Sequence, residues 1–173
     1  MRDAIGGLEE SVVAAKDKNH TNKENCRLPN HEYTNSGFST IYMSRNRVRA
    51  WDQQSFTIQA GGRHAHCHPQ APKMELLGKD ERIFVPGSED LYRRLSVREC
   101  ARIQTFPDDF IFHYKRVAER YKMIGNAVPV NLAHELAIAI MKDLKALNIK
   151  QLTTPQTSWK TVSNLIQQQA EAG

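Results

Sequence analysis

The sequence predicts an α+β fold in which a small β-rich domain is followed by a short helix and a long amphipathic C-terminal helix. Residues 37–59 show the alternating apolar and polar pattern of short strands. Ser96 and Glu99 form a capping box that starts a helix at Val97. From residue 129 to about 147, apolar residues recur at spacings of three and four, as on one face of a helix. A chain of 173 residues can bury one ordinary core.

The charge balance favours a polyanionic partner. The chain has 24 basic and 19 acidic residues, which gives a net charge of +5 and a pI near 9.2. An ordinary basic soluble protein would have the same balance, so charge alone leaves both interpretations open.

The three cysteines are odd in number and have no C-x-x-C spacing, so they indicate neither a disulfide framework nor a zinc site. They suit a reducing, cytoplasmic setting. No apolar run approaches the ~20 residues of a membrane span, and the N-terminus lacks the apolar core of a signal peptide. The sequence therefore predicts no membrane partner.

Residues 1–36 are predicted to be an N-terminal segment followed by a mobile polar arm. A small apolar set, Ala4, Ile5 and Leu8, is interrupted by two glycines. From residue 9 onwards Glu, Lys, Asp, Asn, Thr and His dominate, and they offer too little apolar surface to offset the entropy of ordering the chain. The lysines could contact phosphates, but a solvated charged loop is the simpler interpretation.

Three arginines alternate with other residues in the β-rich stretch. On an extended segment, the period of two would put Arg45, Arg47 and Arg49 on one face. Arginine suits both phosphate oxygens and the O6 and N7 atoms of guanine. The run therefore predicts a DNA-binding face, although a charged strand that faces solvent would show the same pattern.

A histidine tract follows. On a strand, His64, His66 and His68 would share a face that could bind zinc or nickel with open positions. The sequence offers no distant fourth ligand, so we predict no metal site. In the preferred interpretation Gly61 and Gly62 let the backbone approach DNA or turn tightly, and the histidines are neutral donors or stack on sugars.

The remaining stretches lead into and out of the two helices. Residues 70–90 form a predicted loop with a short apolar run at 82–85 that suits a strand. The first helix ends near Thr105, because Pro107 cannot continue it. A turn at residues 125–128 places Pro129 in the first turn of the long helix, whose apolar stripe needs a surface to pack against.

Two stretches of this sequence resemble the last two motifs of the DNA (cytosine-5) methyltransferases. Residues 93–108, RRLSVRECARIQTFPD, fill every fixed position of motif IX, R-x-L-[ST]-x-R-E-x-A-R-x-Q-x-F-P-D. Residues 121–129, YKMIGNAVP, are similar to motif X, in which an I-G-N-A-V-P turn enters a C-terminal helix. Two long motifs in the family's order and at close spacing form a specific signal.

The resemblance implies a target-recognition domain ahead of motif IX. Residues 51–60, WDQQSFTIQA, are similar to the W-[DE]-x-x-[SP]-x-T-[IL] element of that domain. By position, Thr57 would contact the backbone of a flipped nucleotide. Gln59, Arg63 and His64 would join the arginine run as candidates for DNA contact.

The resemblance also shows what this sequence lacks. The family places an F-x-G-x-G cofactor loop, a Pro-Cys nucleophile, a Glu-Asn-Val acid and a Q-x-R-x-R motif ahead of the matched region, and none of them is present. No cysteine follows a proline, so no catalytic residue is predicted in this chain. Within motif IX, Arg98, Glu99 and Arg102 would brace the recognition domain rather than touch bases.

The resemblance therefore implies the DNA-recognition subunit of a split, two-subunit methyltransferase of a prokaryotic restriction-modification system. Its partner would carry motifs I to VIII and the catalytic cysteine, and double-stranded DNA with a GGCC-type site would be the substrate. By analogy with intact family members, Asn126, Ala127 and Val128 would complete the partner's S-adenosylmethionine pocket. Residues 1–8 resemble the segment that follows motif VIII, which would make Met1 the start of a late piece.

The predicted organisation has four parts. These are residues 1–36, the N-terminal segment and arm; 37–115, the target-recognition domain with motif IX; 116–147, the motif X turn and a helix that packs on the partner's catalytic α/β domain; and 148–173, a polar tail. A free-standing DNA-binding module and an inactive remnant of such an enzyme are the alternatives.

Overall fold

The computed structural model describes residues 1–146, and the elements in that range confirm the α+β class. The helices are α1 (Arg2–Ile5), α2 (Thr40–Met43), α3 (Val97–Ile103), α4 (Val117–Asn126) and α5 (Val130–Ala146). The strands are β1 (Val13–Ala14), β2 (Glu32–Tyr33), β3 (Glu75–Gly78) and β4 (Glu81–Ile83). Short 3₁₀ turns cover Asp17–Asn19, Lys23–Asn25, Gly62–His64 and Glu89–Leu91. The chain divides into two units, Met1–Val130 and a second that begins at Asn131.

Each sheet in the described range has two strands. β1 pairs with β2 in parallel, with Val13 opposite Glu32. β3 and β4 form an antiparallel hairpin, with Glu75 opposite Ile83. The strand predicted at residues 82–85 is thus present as β4, and its partner β3 lies in a stretch predicted to be loop.

Residues 37–59 do not form the predicted strands. The segment contains α2, whose N-cap Ser39 accepts a hydrogen bond from the Tyr42 amide at 3.2 Å, and its only strand-like pairing is a bridge between Val48 and Cys67. The alternation that suggested strands arises because Val48 and, further along, Ile58 are buried while their neighbours are more exposed. Alternation reports which side chains are buried and does not by itself supply a strand partner.

The N-terminal segment differs from the mobile arm that its composition predicted. Glu32 is fully buried and accepts a hydrogen bond from the Thr21 hydroxyl at 2.8 Å. The Asn30 side chain donates to the Phe112 carbonyl at 3.0 Å and accepts from the Phe112 amide at 2.9 Å. Hydrogen bonds between buried polar groups hold this segment in place together with the buried side chains of Ile5 and Ala15, and composition does not show these hydrogen bonds.

The main core lies where α3 and α4 meet. Val97 and Ala101 of α3 and Tyr121 and Ile124 of α4 are fully buried members of one apolar cluster. The Tyr121 hydroxyl also donates to the Leu95 carbonyl at 2.7 Å. A second, smaller cluster lies around α2 and contains Tyr42, Val48, Cys67, Ala71, Met74 and Tyr92.

The long helix α5 exposes most of its apolar side chains. Leu136, Ile140 and Met141 of the predicted stripe are 52%, 57% and 46% exposed. The predicted helix end at Leu147 and the predicted tail at residues 148–173 lie outside the described residues.

One stretch of the described residues meets the length and composition of a membrane span, although the sequence predicted none. This stretch is Val117–Lys145. It is not one continuous helix, because residues 127–129 separate α4 from α5, and Val117, Tyr121 and Ile124 of α4 lie in the core. The resemblance to a span is therefore weak, since it combines a core helix with a second, exposed one.

Candidate functional site

The arginine run lies on a loop, so its three guanidinium groups do not share one free face. Arg45 is exposed, and its guanidinium has no partner in the described part of the chain. Arg47 donates to two backbone carbonyls near the C-terminal end of α2, 3.0 and 3.3 Å away, and stacks over the Tyr42 ring. Arg49 stacks over Phe56, with its Cζ 3.9 Å from the ring centre. Arg45 is thus available for a ligand as it stands, while the other two also hold the loop.

Residues 57–64, which we term the recognition segment, form a loop with one buried anchor. Ile58 belongs to the main core, and Thr57 and Gln59 on either side of it are exposed. The 3₁₀ turn Gly62–His64 then presents Arg63 and His64 to solvent. All four predicted DNA-contact residues of this stretch are therefore accessible, although the strand predicted at residues 55–59 is not formed.

The histidines of the tract do not share a face. His64 is exposed, whereas His66 and His68 are buried. His66 stacks on Phe56 with ring centres 4.4 Å apart, and its Nε2 lies 3.3 Å from the Thr57 carbonyl oxygen. Burial lowers the pKa of His66 and of His68 to about 4, so both are neutral at pH 7. In the part of the chain described, no three His, Cys, Asp or Glu side chains come together as a metal ion would require.

Motif IX begins with the predicted capping box and a buried ion pair. The Ser96 hydroxyl accepts from the Glu99 amide at 3.0 Å, and the Glu99 carboxylate accepts from the Ser96 amide at 2.7 Å, which confirms the predicted start of α3. Both oxygens of Glu99 also bind the Arg93 guanidinium, at 2.7 and 2.8 Å. Burial alone would raise the pKa of Glu99, but the hydrogen bonds and charge of Arg93 outweigh it and lower the pKa. The carboxylate therefore stays ionised inside the core.

Arg98 and Arg102 tie α3 to other parts of the chain. The fully buried Arg98 donates to the carbonyls of Pro29, Pro107 and Phe110 at 2.9, 3.0 and 2.9 Å. Arg102 forms a bidentate pair with Asp108 at 2.8 and 2.5 Å. Each guanidinium nitrogen of Arg98 is engaged, so this side chain cannot contact a base without losing a hydrogen bond that holds the fold.

The predicted cofactor turn, residues 126–128, begins on the last residue of α4. Gly125 and Asn126 are the last residues of α4, so the turn begins later than the sequence predicted. Asn126 and Val128 are exposed, and Ala127 is half-buried. The turn therefore presents one amide side chain and one apolar side chain to the surroundings.

Gln104 holds both ends of this turn, and sequence analysis did not identify it as a site residue. Its side-chain amide donates to the Ile124 carbonyl at 3.0 Å, and its backbone carbonyl accepts from the Val130 amide at 3.1 Å. Gln104 belongs to the motif IX stretch, but the spacing between the motifs does not show that motif IX supports the motif X turn.

None of the three cysteines is available as a nucleophile. Cys67 and Cys100 are buried, and burial raises the pKa of both thiols. Cys26 is half-buried, and burial together with the nearby charge of Glu32 raises its pKa to about 11. Because the thiolate is the reactive form, the raised pKa values disfavour all three cysteines as nucleophiles at neutral pH.

Comparison with known proteins identifies the family. The C-5 cytosine-specific DNA methylase family matches residues 2–142 of this chain. The chain belongs to this family. The C-5 cytosine DNA methylase relationship inferred from motifs IX and X is therefore confirmed, and it extends over most of the chain.

Three relatives give the extent of the similarity. The chain is 65% identical over 147 residues to type II methyltransferase M.MthTI of Methanothermobacter thermautotrophicus, covering 85% of this chain and 44% of the relative. It is 54% identical over 145 residues to M.NgoPII of Neisseria gonorrhoeae and 53% identical over 144 residues to M.FnuDI of Fusobacterium nucleatum. These matches cover 84% and 83% of this chain and 42% of each relative. The chain thus spans less than half the length of these type II methyltransferases.

Proposed function

We propose that this chain is the DNA-recognition part of a DNA (cytosine-5) methyltransferase and works with a separate catalytic part that carries motifs I to VIII. One combination of features supports the proposal most strongly. The recognition segment and the cofactor turn present accessible side chains, whereas no cysteine follows a proline and burial raises the pKa of all three thiols. Relatives that are named type II methyltransferases favour a restriction-modification system, and a cytoplasmic setting.

Double-stranded DNA is the proposed substrate. Thr57, Gln59, Arg63 and His64 are exposed together on one loop, and the guanidinium of Arg45 is also exposed. We assign phosphate or guanine contact to the two arginines, and to Thr57 a contact with the backbone of the flipped cytosine nucleotide. A GGCC-type site is the proposed target.

S-adenosylmethionine is the proposed cofactor, and the turn at residues 126–128 suits one wall of its pocket. The turn combines an exposed amide, Asn126, with an exposed apolar side chain, Val128, and Gln104 fixes its ends. Asn126, Ala127 and Val128 would hold the cofactor together with residues of the catalytic part. The cofactor would supply the methyl group that is transferred to cytosine.

A catalytic α/β domain is the proposed partner of α5. Side chains such as Leu136 and Ile140 are more than half exposed, and burying such a stripe against a partner is favourable. Charged residues such as Glu135 and Lys142 give the same helix a polar side. An amphipathic helix of this kind fits a surface of matching apolar character.

Methyl transfer from labelled S-adenosylmethionine tests the proposal. The chain alone, a protein with motifs I to VIII alone, and their mixture are each assayed on a duplex with a GGCC site and on a scrambled duplex. We expect transfer only in the mixture and only on the GGCC duplex. In the mixture Leu136→Glu should abolish transfer by separating the parts, whereas Lys142→Glu on the polar side should leave it near the original rate.

The other outcomes discriminate the alternatives. A folded chain that binds duplex DNA but supports no transfer would indicate a free-standing DNA-binding module. A chain that neither binds DNA nor supports transfer would indicate an inactive remnant. Equal rates of transfer to the GGCC duplex and the scrambled duplex would exclude GGCC as the target. Duplexes with other sequences would then be assayed to find the site that the chain recognises.

A further inference from the structure

The backbone of α4 lies directly on the backbone of the recognition segment at Gly125. A Cβ atom built on Gly125 would lie within 2.5 Å of three backbone atoms, the carbonyl carbon and oxygen of Gln59 and the amide nitrogen of Ala60. Real Cβ atoms essentially never come closer than 3.0 Å to such atoms. Gly125 therefore has no replacement that keeps the two backbones in place.

A second glycine makes a similar contact from the other direction. A Cβ atom on Gly62 would lie 2.8 Å from Cδ2 of the Tyr121 ring in α4. The ring cannot easily move aside, because Tyr121 is fully buried and its hydroxyl donates a hydrogen bond to the Leu95 carbonyl. A Cβ on the preceding residue, Gly61, would meet nothing within 4 Å, so the close contact is specific to Gly62.

These contacts connect the two candidate ligand surfaces. Gln59 is an exposed residue of the recognition segment, and Gly125 directly precedes Asn126 of the cofactor turn. The anchor of the segment, Ile58, belongs to the same core cluster as Ile124, whose carbonyl is held by Gln104. Close-packed contacts of this kind transmit a displacement because there is no free volume to absorb it.

We propose that Gly62 and Gly125 are positioning residues that couple DNA binding at the recognition segment to cofactor binding at residues 126–128. This inference rests on the proposed function. A target duplex that fixes Gln59 also fixes the end of α4, which prepares Asn126 for the cofactor. Coupling between two binding sites is reciprocal, so the cofactor prepares the recognition segment for the target to the same extent.

The coupling is measured on the reconstituted complex of this chain with the catalytic part. S-adenosylhomocysteine, which binds without reacting, is titrated with and without a GGCC duplex, and the ratio of the two Kd values is the coupling factor. We expect the duplex to tighten binding by about fivefold or more in the original complex. In Gly62→Ala the factor should fall below about twofold, because the segment and helix must separate by about 1 Å to reach normal contact.

Matched variants separate positioning from simple loss of stability. Gly37→Ala adds the same methyl group outside the recognition segment, where it would meet no described atom within 4 Å, and should keep the original factor. Gly125→Ala should lower the factor further than Gly62→Ala. In Gly62→Ala, whose added methyl group lies in the recognition segment and away from the cofactor turn, the Kd for S-adenosylhomocysteine without DNA should stay within about twofold of the original.

The outcomes distinguish this inference from the proposed function. A complex that binds neither ligand would overturn the proposed function itself. A complex that binds both ligands with a factor near one, or variants that keep the original factor, would overturn only the coupling.

Hydrogen exchange on the original complex gives a second test that needs no variant. Adding S-adenosylhomocysteine without DNA should slow amide exchange in residues 58–62 more than in the β3–β4 hairpin, residues 75–83. Equal protection of both segments, or no protection of residues 58–62, would overturn the coupling.

Discussion

Replacing Arg98 by methionine measures how strongly motif IX stabilises the first unit. The Arg98 side chain is fully buried and donates to the carbonyls of Pro29, Pro107 and Phe110. Hydrogen bonds from a charged group contribute about 1.5 to 3 kcal/mol each, and part of that gain is offset because the variant no longer buries a charge. We therefore expect the free energy of unfolding to fall by about 3 to 5 kcal/mol.

Urea unfolding followed by tryptophan fluorescence provides the assay. Trp51 reports on the first unit because its ring packs edge-on against His68 at 5.1 Å, and Trp159→Phe removes the other tryptophan signal. Arg63→Met is the matched control, since Arg63 is exposed and its replacement should change stability by less than about 0.5 kcal/mol. A loss below about 1 kcal/mol in Arg98→Met would refute the view that this arginine fastens the loops around α3.

Three further predictions concern pH, DNA and the cofactor. The pKa of His66 is about 4 in the folded chain, whereas its ordinary value is 6.5. As pH falls through this range, the unfolded chain therefore binds a proton that the folded chain does not. The contribution of His66 to the free energy of unfolding is complete above about pH 6.5 and is lost towards pH 4. At pH 5 the free energy of unfolding should be about 2 kcal/mol lower because of this residue. In urea titrations at pH 5 and pH 7, His66→Phe should not show this part of the pH-dependent loss. If Arg45 contacts phosphate, Arg45→Ala should weaken binding to every duplex in anisotropy titrations and reduce the slope of log affinity against log salt concentration by about 1. Arg45→Lys keeps the charge and should retain the slope. Unchanged affinity and site discrimination in Arg45→Ala would show that Arg45 lies outside the interface. Asn126→Ala should weaken S-adenosylhomocysteine binding by the complex about tenfold, while duplex affinity without cofactor stays constant. If calorimetry gives the same Kd for S-adenosylhomocysteine in the variant and the original complex, the assigned contact is excluded.

Local signals in the sequence predicted two of the helices well. The start of α3 depends on Ser96 and Glu99, which are three residues apart, and the structure contains both hydrogen bonds of the capping box. The spacing of apolar residues predicted α5 to within one residue at its start. In both cases the determining interactions lie within one or two helical turns, so they can be identified from neighbouring residues.

The elements that sequence analysis missed depend on distant parts of the chain. α4 has ten residues, and its buried positions include Arg120 as well as Val117, Tyr121 and Ile124, so its apolar periodicity is too weak to predict a helix. Tertiary packing against α3 stabilises it instead. The loop conformation of residues 44–59 has the same origin, since buried residues in that stretch are held by the cores rather than by neighbouring strands.

Sequence analysis selected the candidate site residues but did not predict the contacts that connect them to the rest of the chain. The motif resemblance selected residues 57–64 and 126–128, and the recognition residues among them are exposed, as a ligand surface needs. The sequence did not predict that Gly125 touches Gln59, because 66 positions separate them and no local pattern records such a contact. It also did not predict that Arg47 would be engaged by backbone carbonyls.

Under the proposed function, the loop character of the recognition segment makes it a suitable place to engineer sequence preference. A substitution in a strand can shift the pairing register and disturb a whole sheet, whereas residues 57–64 pair with no strand in the described structure. Libraries that randomise Gln59, Arg63 and His64 should therefore yield mostly folded variants, provided that Ile58 and Gly62 are kept. Selection for altered methylation could then explore contact chemistry without first having to restore the fold.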